Sequence, residues 1–248
     1  MTTDPKPPAQ PDAAATTQAR PGHREAELKL AGFAQFLFFK LDLAWHRLEP
    51  SLKEEGTRQF VQTVEETTAG IDTRVYSTVG FRPEVDFFLW NRAQSLPELQ
   101  QFTVRLMHTG LGRYLHTPYL YTSLYRESPY PKLKEHEPPQ LVEPKFLFVY
   151  PFVKTRPWYT LPMEERKRAM MEHVAVGHRF ERVAINTSYS FGLGDQEFVI
   201  AFDTDYPEDF EALVRRLRET EASKYTLRDT PIFMGSRGPI RDVLRMVV

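Results

Sequence analysis

Two stretches of the chain, FLFFKLDLAWHRL (residues 36–48) and FLFVYPFVKTRPWYTL (residues 146–161), open with the same Phe-Leu-Phe run and reach a tryptophan a few residues later. Each apolar run has the length and composition of a buried strand. Similar patterns at corresponding places in the two halves indicate an internal repeat, which has to be recognised before any fold is assigned.

The segments that follow these two strands also match each other. Residues 77–109 and 189–220 both show a strand, a glycine turn, a second strand and a Pro-Glu start to an amphipathic helix. Each half therefore predicts the order strand, helix, strand, strand, helix. That order, repeated, predicts an α+β fold in which two ferredoxin-like repeats form a dimeric α+β barrel within one chain.

The pattern divides the chain into four parts. We expect the N-terminal repeat over 27–118 and the C-terminal repeat over 145–248. Residues 119–144 are rich in Tyr, Pro and charge, and we expect them to form a long connection of the kind that is usually functional or disordered. Residues 1–26 contain five prolines and no large apolar residue after Met1. Such a segment cannot bury enough surface to offset its ordering entropy, so we predict a disordered tail.

Composition excludes several classes of protein. The hydrophobic fraction of 41% and the aromatic fraction of 13% support a packed core. The absence of cysteine rules out disulfides, thiolate nucleophiles and iron–sulfur ligands. A net charge of −1, without a strongly basic face, argues against a nucleic-acid partner. The chain shows no signal-peptide core and no apolar stretch of about 18 residues. We therefore expect a cytoplasmic protein without a membrane span.

Two titratable residues fall on apolar stripes of helices predicted in the second half. His173 lies on the stripe of the helix that follows Trp158, and Glu221 is the next member of the stripe of a helix that begins near Glu208. A buried imidazole or carboxylate needs a partner. Two interpretations remain open. One is a core histidine beside a fraying helix end, and the other is a histidine that binds a metal and donates its second N–H to a carboxylate.

If His173 binds a metal, it is the only candidate protein ligand in its neighbourhood. The chain has no H-E-x-x-H motif, and the nearest histidine at helical range is His178. A single protein ligand is typical of haem iron rather than of zinc or calcium. The chain also lacks a G-x-S-x-G motif, a P-loop and a G-x-G-x-x-G turn after a strand.

The strand FLFVYPFVK delivers Tyr150 and, four residues later, Lys154 to the same face. Taken alone, these residues favour a strand that ends at the surface with a solvated lysine. A tyrosine and a lysine that face a shared pocket are the alternative, which the rest of the chain supports.

Four stretches make a specific resemblance: YPFVK (150–154), WYTLPMEERKRAMMEHVAVGHRF (158–180), NTSYSFGLGDQEFVIAF (186–202) and LRETEASKYTLRDTPIF (217–233). In these residues the chain resembles the chlorite dismutase family, and within it the branch of coproheme decarboxylases of bacterial haem synthesis. The resemblance covers roughly residues 33–235 and is strongest from 145 onward. It implies duplicated ferredoxin-like chains that assemble into rings, commonly homopentamers, and a haem site in the C-terminal repeat.

The resemblance also implies roles for individual residues. His173 occupies the position of the axial iron ligand, and Glu221 lies near the carboxylate that hydrogen-bonds that ligand. Tyr150 would lie beside a porphyrin propionate and carry the catalytic radical. Lys154 would help to hold the propionate charge, and Arg218 is a second candidate cation for it, although a solvated helix residue is an equal alternative.

Three further residues bear on the branch of the family. Chlorite dismutases carry a distal arginine thirteen residues after the axial histidine, whereas this chain has Asn186 there, which we expect to contact the substrate. Trp158 is expected to form a wall of the pocket or part of the core rather than to exchange electrons. A distal histidine is common in the connection of this branch, but the spacing of His136 does not match it.

The activity implied by the resemblance is peroxide-dependent oxidative decarboxylation. Iron-coproporphyrin III (coproheme) would be both substrate and redox centre, and two propionates would become the vinyl groups of haem b. The expected partners are the porphyrin, hydrogen peroxide and, transiently, other haem-synthesis enzymes. Two alternatives remain: a haem b-dependent chlorite dismutase that makes chloride and O2, and a non-catalytic haem-binding protein.

Overall fold

The computed structural model describes residues 30–66, 70–126 and 143–248. The tail predicted over 1–26 lies outside these residues. So do His136 and most of the predicted connection. The described residues build two similar halves, each consisting of a sheet with helices on its outer face.

The first half follows the predicted order of five elements and continues with two further strands. Ser95 precedes the second helix, and its backbone N–H donates to the Glu98 carboxylate at 3.0 Å, which closes the helix start in the manner of a capping box. The elements are β1 (Leu30–Leu41), α1 (Pro50–Glu65), β2 (Asp72–Ser77), β3 (Phe87–Ala93), α2 (Leu96–His108), β4 (Leu115–His116) and β5 (Leu120–Arg126).

The second half repeats this order and adds two short helices. Its elements are β6 (Phe146–Lys154), α3 (Arg156–Thr160), α4 (Met163–Gly177), β7 (Val183–Tyr189), β8 (Phe198–Thr204), α5 (Pro207–Leu217), β9 (Thr226–Arg228), β10 (Phe233–Arg237) and α6 (Ile240–Arg245). None of the helices in the described parts of the chain combines the length and the apolar character needed to cross a bilayer.

Eight strands close into a barrel. The first half has the order β5-β1-β3-β2 and the second has β10-β6-β8-β7, and every pairing is antiparallel. Pairing of β10 with β2 and of β5 with β7 joins the two sheets at both edges. Closure leaves neither sheet with a free edge at these seams. The predicted fold, two ferredoxin-like repeats in one α+β barrel, is confirmed.

The strands divide their apolar residues between the barrel interior and the outer helices, because successive side chains point to opposite faces. In β6, Leu147 and Val149 lie in the interior core, whereas Phe148 and Tyr150 face the helices of the second half. The outer face of the first half is covered by α1, α2 and α6.

Two predicted boundaries need correction. Strand β5 lies inside the stretch 119–144 that we expected to be a connection. The sequence did not predict this strand, because tyrosines and nearby prolines obscure its alternating Leu-Tyr-Thr-Ser-Leu-Tyr pattern. The last helix, α6, belongs by sequence to the second repeat but packs on the first. There Arg241 Nε donates to a Glu65 carboxylate oxygen at 2.8 Å, and the apolar face of α6 joins the core under α1.

Candidate functional site

Strand β6 presents Tyr150 on the helix-covered face of the second half. The strand lies between β8 and β10, and Tyr150 pairs with Ile200 of β8. Its ring stacks on Phe202 with centroids 5.8 Å apart. The side chain is buried.

Lys154 lies on the same face, four residues along β6, and it is also buried. The Nζ atom donates to the carbonyl of Ala222 at 2.9 Å and lies 4.5 Å from the centroid of the Trp158 ring. Burial lowers the pKa of Lys154 to about 8, although the Glu197 carboxylate partly opposes this effect. At neutral pH the protein therefore holds a positive charge inside an aromatic and carbonyl cage.

His173 lies on α4 and packs toward the short 3-10 turn that follows α5. Its Nδ1 atom is 3.3 Å from the Oγ1 atom of Thr220, whose hydroxyl donates to the Leu217 carbonyl at 2.7 Å. A hydroxyl has one proton to donate, so Thr220 accepts from His173 Nδ1–H. This contact selects the tautomer with a free lone pair on Nε2, the form that binds a metal.

His173 is neutral over a wide pH range. Burial and, to a smaller extent, the nearby charge of Lys154 lower its pKa to about 4, while the Glu172 carboxylate acts in the opposite direction. A neutral imidazole with a defined tautomer can act as a ligand without first losing a proton.

The predicted position of Glu221 on the apolar stripe of α5 needs correction. Helix α5 ends at Leu217, so the predicted stripe does not continue and Glu221 begins a 3-10 helix instead. Its carboxylate accepts from Lys224 Nζ at 2.6 Å, and its backbone N–H donates to Glu172. Thr220, one residue earlier, occupies the place beside His173 that we expected Glu221 to take.

Arg218 caps the C-terminal end of α5 and forms an ion pair with Asp229. The guanidinium is half-exposed and the Asp229 carboxylate is largely buried. Both charges act on Tyr150. Burial raises the pKa of the Tyr150 phenol above its usual range, Asp229 raises it further, and Arg218 lowers it. The charge of Arg218 therefore acts on Tyr150, and so does that of Asp229, which the sequence analysis did not single out.

Asn186 lies on the opposite side of the sheet from this cluster, which corrects the prediction that it contacts the substrate. Its Nδ2 atom donates to Asp203 Oδ2 at 3.1 Å, and Asp203 alternates along β8 with the outward-facing Phe202. The neighbouring Ile185 faces outward instead and lies against Gly177 of α4. Its Cδ1 atom is 3.6 Å from the position that a Cβ atom would occupy at this glycine. Counting residues from His173 could not reveal which face of β7 a side chain occupies.

Trp158 is buried at the end of the cluster, where the sequence predicted a wall. It packs with Ala169 and Ala222, and its ring centroid lies 5.4 Å from that of Tyr225. The site contains one further carboxylate. Glu197 accepts from the backbone N–H of Lys154 at 2.8 Å and from the Tyr159 hydroxyl at 2.5 Å.

The outer face of the second half exposes apolar side chains beside α4. Ile185 of β7 is 46% exposed, and Phe191, in the turn that follows this strand, is 49% exposed. Exposed apolar side chains that cluster on one face are typical of binding sites. In the described residues no three His, Cys, Asp or Glu side chains cluster as a metal cage. The face therefore combines exposed apolar side chains with one neutral imidazole, that of His173 on α4.

Comparison with known proteins agrees with this geometry. The family model for chlorite dismutase matches residues 53–238. The chain belongs to the chlorite dismutase family. Members of this family include haem-dependent enzymes. The coproheme decarboxylase of Mycolicibacterium smegmatis is 33% identical over 174 residues, which are 68% of this chain and 74% of that protein.

Solved structures of relatives share the fold. A mutant chlorite dismutase from Candidatus Nitrospira defluvii aligns with a TM-score of 0.84 and 24% identity over 88% of this chain and 96% of that chain. A heme-binding protein from Thermus thermophilus aligns with a TM-score of 0.76 and 24% identity over 88% of this chain and 95% of that one. At these identities the alignments establish architecture, and the site residues have to be argued from this chain.

Proposed function

We propose that the protein is a coproheme decarboxylase that converts iron-coproporphyrin III into haem b. The observation that supports the proposal is the position of Tyr150 on the face of β6 that the helices of the second half cover, where the charge of Arg218 acts on its phenol. Each round would consume one propionate carboxylate, one hydrogen peroxide and one proton. It would yield a vinyl group, carbon dioxide and two water molecules, so that atoms and electrons balance.

The residues present fit an iron porphyrin. His173 offers a neutral imidazole whose Nδ1–H is held by Thr220, which leaves Nε2 for the iron. Half-exposed apolar residues, Ile185 among them, can cover the faces of a macrocycle. Along β6, the four residues from Tyr150 to Lys154 span about 13 Å at the usual rise of a strand. The site is therefore long enough for a flat ligand bound near Lys154 to reach Tyr150 with a peripheral carboxylate.

Each side chain has a distinct part in the proposal. His173 holds the substrate iron and Tyr150 removes a hydrogen atom from the β-carbon of a propionate. Arg218 binds a propionate carboxylate, because a carboxylate in a largely apolar site needs a charged partner. Trp158 closes the pocket. Lys154 keeps its positive charge beside His173, and a direct contact with a propionate would require its amine to leave the Ala222 carbonyl.

Decarboxylation is favoured over chlorite chemistry by the composition of β7. Chlorite is an anion, and its turnover by this family depends, according to the resemblance, on a cation on the distal side. The β7 residues that share the outward face of Val183 are Ile185, Thr187 and Tyr189, none of which is cationic.

The decisive experiment incubates the purified protein with iron-coproporphyrin III and titrates hydrogen peroxide. We expect carbon dioxide release and conversion of the pigment to haem b, followed by chromatography and mass spectrometry. Tyr150→Phe is the matched control and should bind coproheme without converting it. Bleaching of the porphyrin without carbon dioxide would refute the proposal. Oxygen evolution from chlorite with sustained turnover would favour a dismutase, and reversible haem exchange with apoproteins without any product would favour a carrier.

A further inference from the structure

One arginine on the helix that carries His173 has no partner. Arg166 of α4 is partly buried, and its Nε atom is enclosed without a hydrogen-bond acceptor among the described residues. No ion pair in the described part of the chain includes its guanidinium. The helix itself offers no carboxylate, because the residues three and four positions away are Pro162, Met163, Ala169 and Met170. A buried N–H group without an acceptor is unfavourable, so the position favours an acceptor supplied by a ligand.

Arg166 is in line with His173 along α4. Seven residues separate the two, and seven steps of about 100° come within about 20° of two full turns, so both side chains leave the helix on the same side. The rise over seven residues is about 10 Å. Ala169, one turn after Arg166, packs with Trp158, the wall of the site. Arg166 therefore lies at the end of the site that Trp158 closes.

Arg218 lies at the opposite end of the site. The chain after α5 runs from His173 toward Trp158, because Thr220 contacts the histidine and Ala222 packs with the tryptophan. Arg218 precedes Thr220 and therefore lies on the far side of His173 from Trp158. The site thus has one arginine on each side of the imidazole.

Arg166 is also the available cation at its own end of the site. Lys154 lies there too, 4.5 Å from the centroid of the Trp158 ring, but its amine donates to the carbonyl of Ala222 at 2.9 Å. A carboxylate that approached Lys154 would have to displace this bond. The guanidinium of Arg166 has no bond to give up, and it can bind a carboxylate through two parallel N–H groups.

We propose that Arg166 binds a carboxylate of the iron porphyrin at the Trp158 end of the site, away from Tyr150, and that this carboxylate is one that the product retains. The inference rests on the proposed decarboxylase function, whose substrate carries propionates on several sides of the macrocycle and loses two of them. The separation of about 10 Å along α4 is comparable with the distance from the iron of a porphyrin to its propionate carboxylates. Tyr150 lies four residues from Lys154 along β6, so the carboxylate at Arg166 is out of its reach.

The experiment measures porphyrin binding by absorbance in Arg166→Gln and in a control, Arg168→Gln. Arg168 is exposed and, two residues further on, points to the opposite side of α4. Arg166→Gln should weaken the binding of coproheme and of haem b about tenfold each. Its Soret maximum should not move, because His173 still holds the iron. The methyl ester of coproheme, which has no charged carboxylate, should bind the wild type and both variants equally, and Arg168→Gln should bind all three porphyrins like the wild type.

Urea unfolding without porphyrin separates ligand binding from a structural role. The guanidinium is unpaired in the apoprotein, so Arg166→Gln should unfold at the same urea concentration as the wild type or at a higher one. A lower urea midpoint together with a smaller molecular mass in solution would show that Arg166 pairs with a carboxylate of a second copy of the chain. That result would overturn the inference, as would an equal loss of affinity for coproheme and for its methyl ester.

The outcomes also distinguish this inference from the proposed function. A wild-type protein that binds coproheme without releasing carbon dioxide would overturn the decarboxylase, and the affinities would still decide whether Arg166 binds a carboxylate. An active protein whose coproheme affinity is unaffected by Arg166→Gln would overturn the inference alone. A loss of affinity for coproheme but not for haem b would show that Arg166 holds a propionate that reacts, which would also overturn it. A wild-type protein that binds no porphyrin would overturn both.

Discussion

Replacing Lys154 with methionine tests the electrostatics at the centre of the site. Burial lowers the pKa of Lys154 from 10.5 to about 8, and a difference of one in pKa corresponds to about 1.4 kcal/mol. The charged amine is therefore about 3 kcal/mol less favourable in the folded state than in the unfolded state. Because the unfolded chain binds the proton more tightly, this penalty is complete below pH 8 and disappears as the pH rises toward 10.5.

The expected result is a pH-dependent difference between wild type and Lys154→Met. The free energy of unfolding of the wild-type apoprotein, relative to the variant, should rise by about 2 kcal/mol between pH 7 and pH 10. At neutral pH the variant should have similar or slightly higher stability. It escapes the penalty but loses the contact with the Trp158 ring and the bond to the Ala222 carbonyl, each worth about 1–2 kcal/mol.

Urea unfolding followed by tryptophan fluorescence, at fixed protein concentration and at several pH values, measures this difference. Lys167→Met is the control, since Lys167 is on the same helix as His173 but is half-exposed and pairs with Glu164 at 3.1 Å. A wild-type-minus-variant difference that does not change with pH would show that Lys154 is not buried as a cation. In Lys154→Met the pKa of His173 should also rise from about 4 while staying below 6.5, because burial remains.

Three further predictions follow from the site. His173→Ala should weaken coproheme binding or leave a complex with an altered Soret band, and Thr220→Val should weaken coproheme binding about tenfold because the imidazole loses its orienting acceptor. Glu221→Gln should leave the spectrum unchanged, and a changed spectrum would restore Glu221 as the partner of His173. Tyr150→Phe should keep coproheme affinity, keep the ring stacked on Phe202 and alter the free energy of unfolding by only about 1 kcal/mol, whereas a large loss of stability would indicate a structural tyrosine. Coproheme binding, followed by absorbance, should persist well below pH 6.5 and fail as the pH drops through about 4, where the imidazole is protonated; failure near pH 6.5 would refute the burial of His173.

The fold could be predicted from sequence because its determinants are local and occur twice. Alternating apolar residues in the strands and the Pro-Glu helix starts are short-range signals, and the repeat doubles the evidence for each. The same signals placed Tyr150 and Lys154 on one face of β6, because a strand has a period of two.

The site was less predictable wherever a turn intervenes between two of its residues. Asn186 is separated from His173 by the end of α4 and the turn before β7, and one residue more or less in that turn exchanges the faces of the strand. Glu221 is separated from the stripe of α5 by the end of the helix at Leu217. Asp229 lies in an irregular segment, where no periodicity indicates the direction of a side chain.

The helices of the two halves bury different amounts of apolar surface on equivalent outer faces of the barrel, and this difference supports the proposed ligand position in the second half. Helix α1 buries Phe60, Val61 and Val64 against the first sheet, and α6 comes from the far end of the chain to complete that core. The equivalent helix of the second half, α4, buries only Ala169 and Gly177. If the outer faces of both halves served only to stabilise the fold, their helices would bury similar apolar surface. A helix with small residues, a neutral histidine and half-exposed apolar neighbours instead leaves room that a planar ligand can occupy, so we expect ligand binding to stabilise the second half more than the first. Hydrogen exchange with and without coproheme would measure this asymmetry, and equal protection of both halves would contradict it.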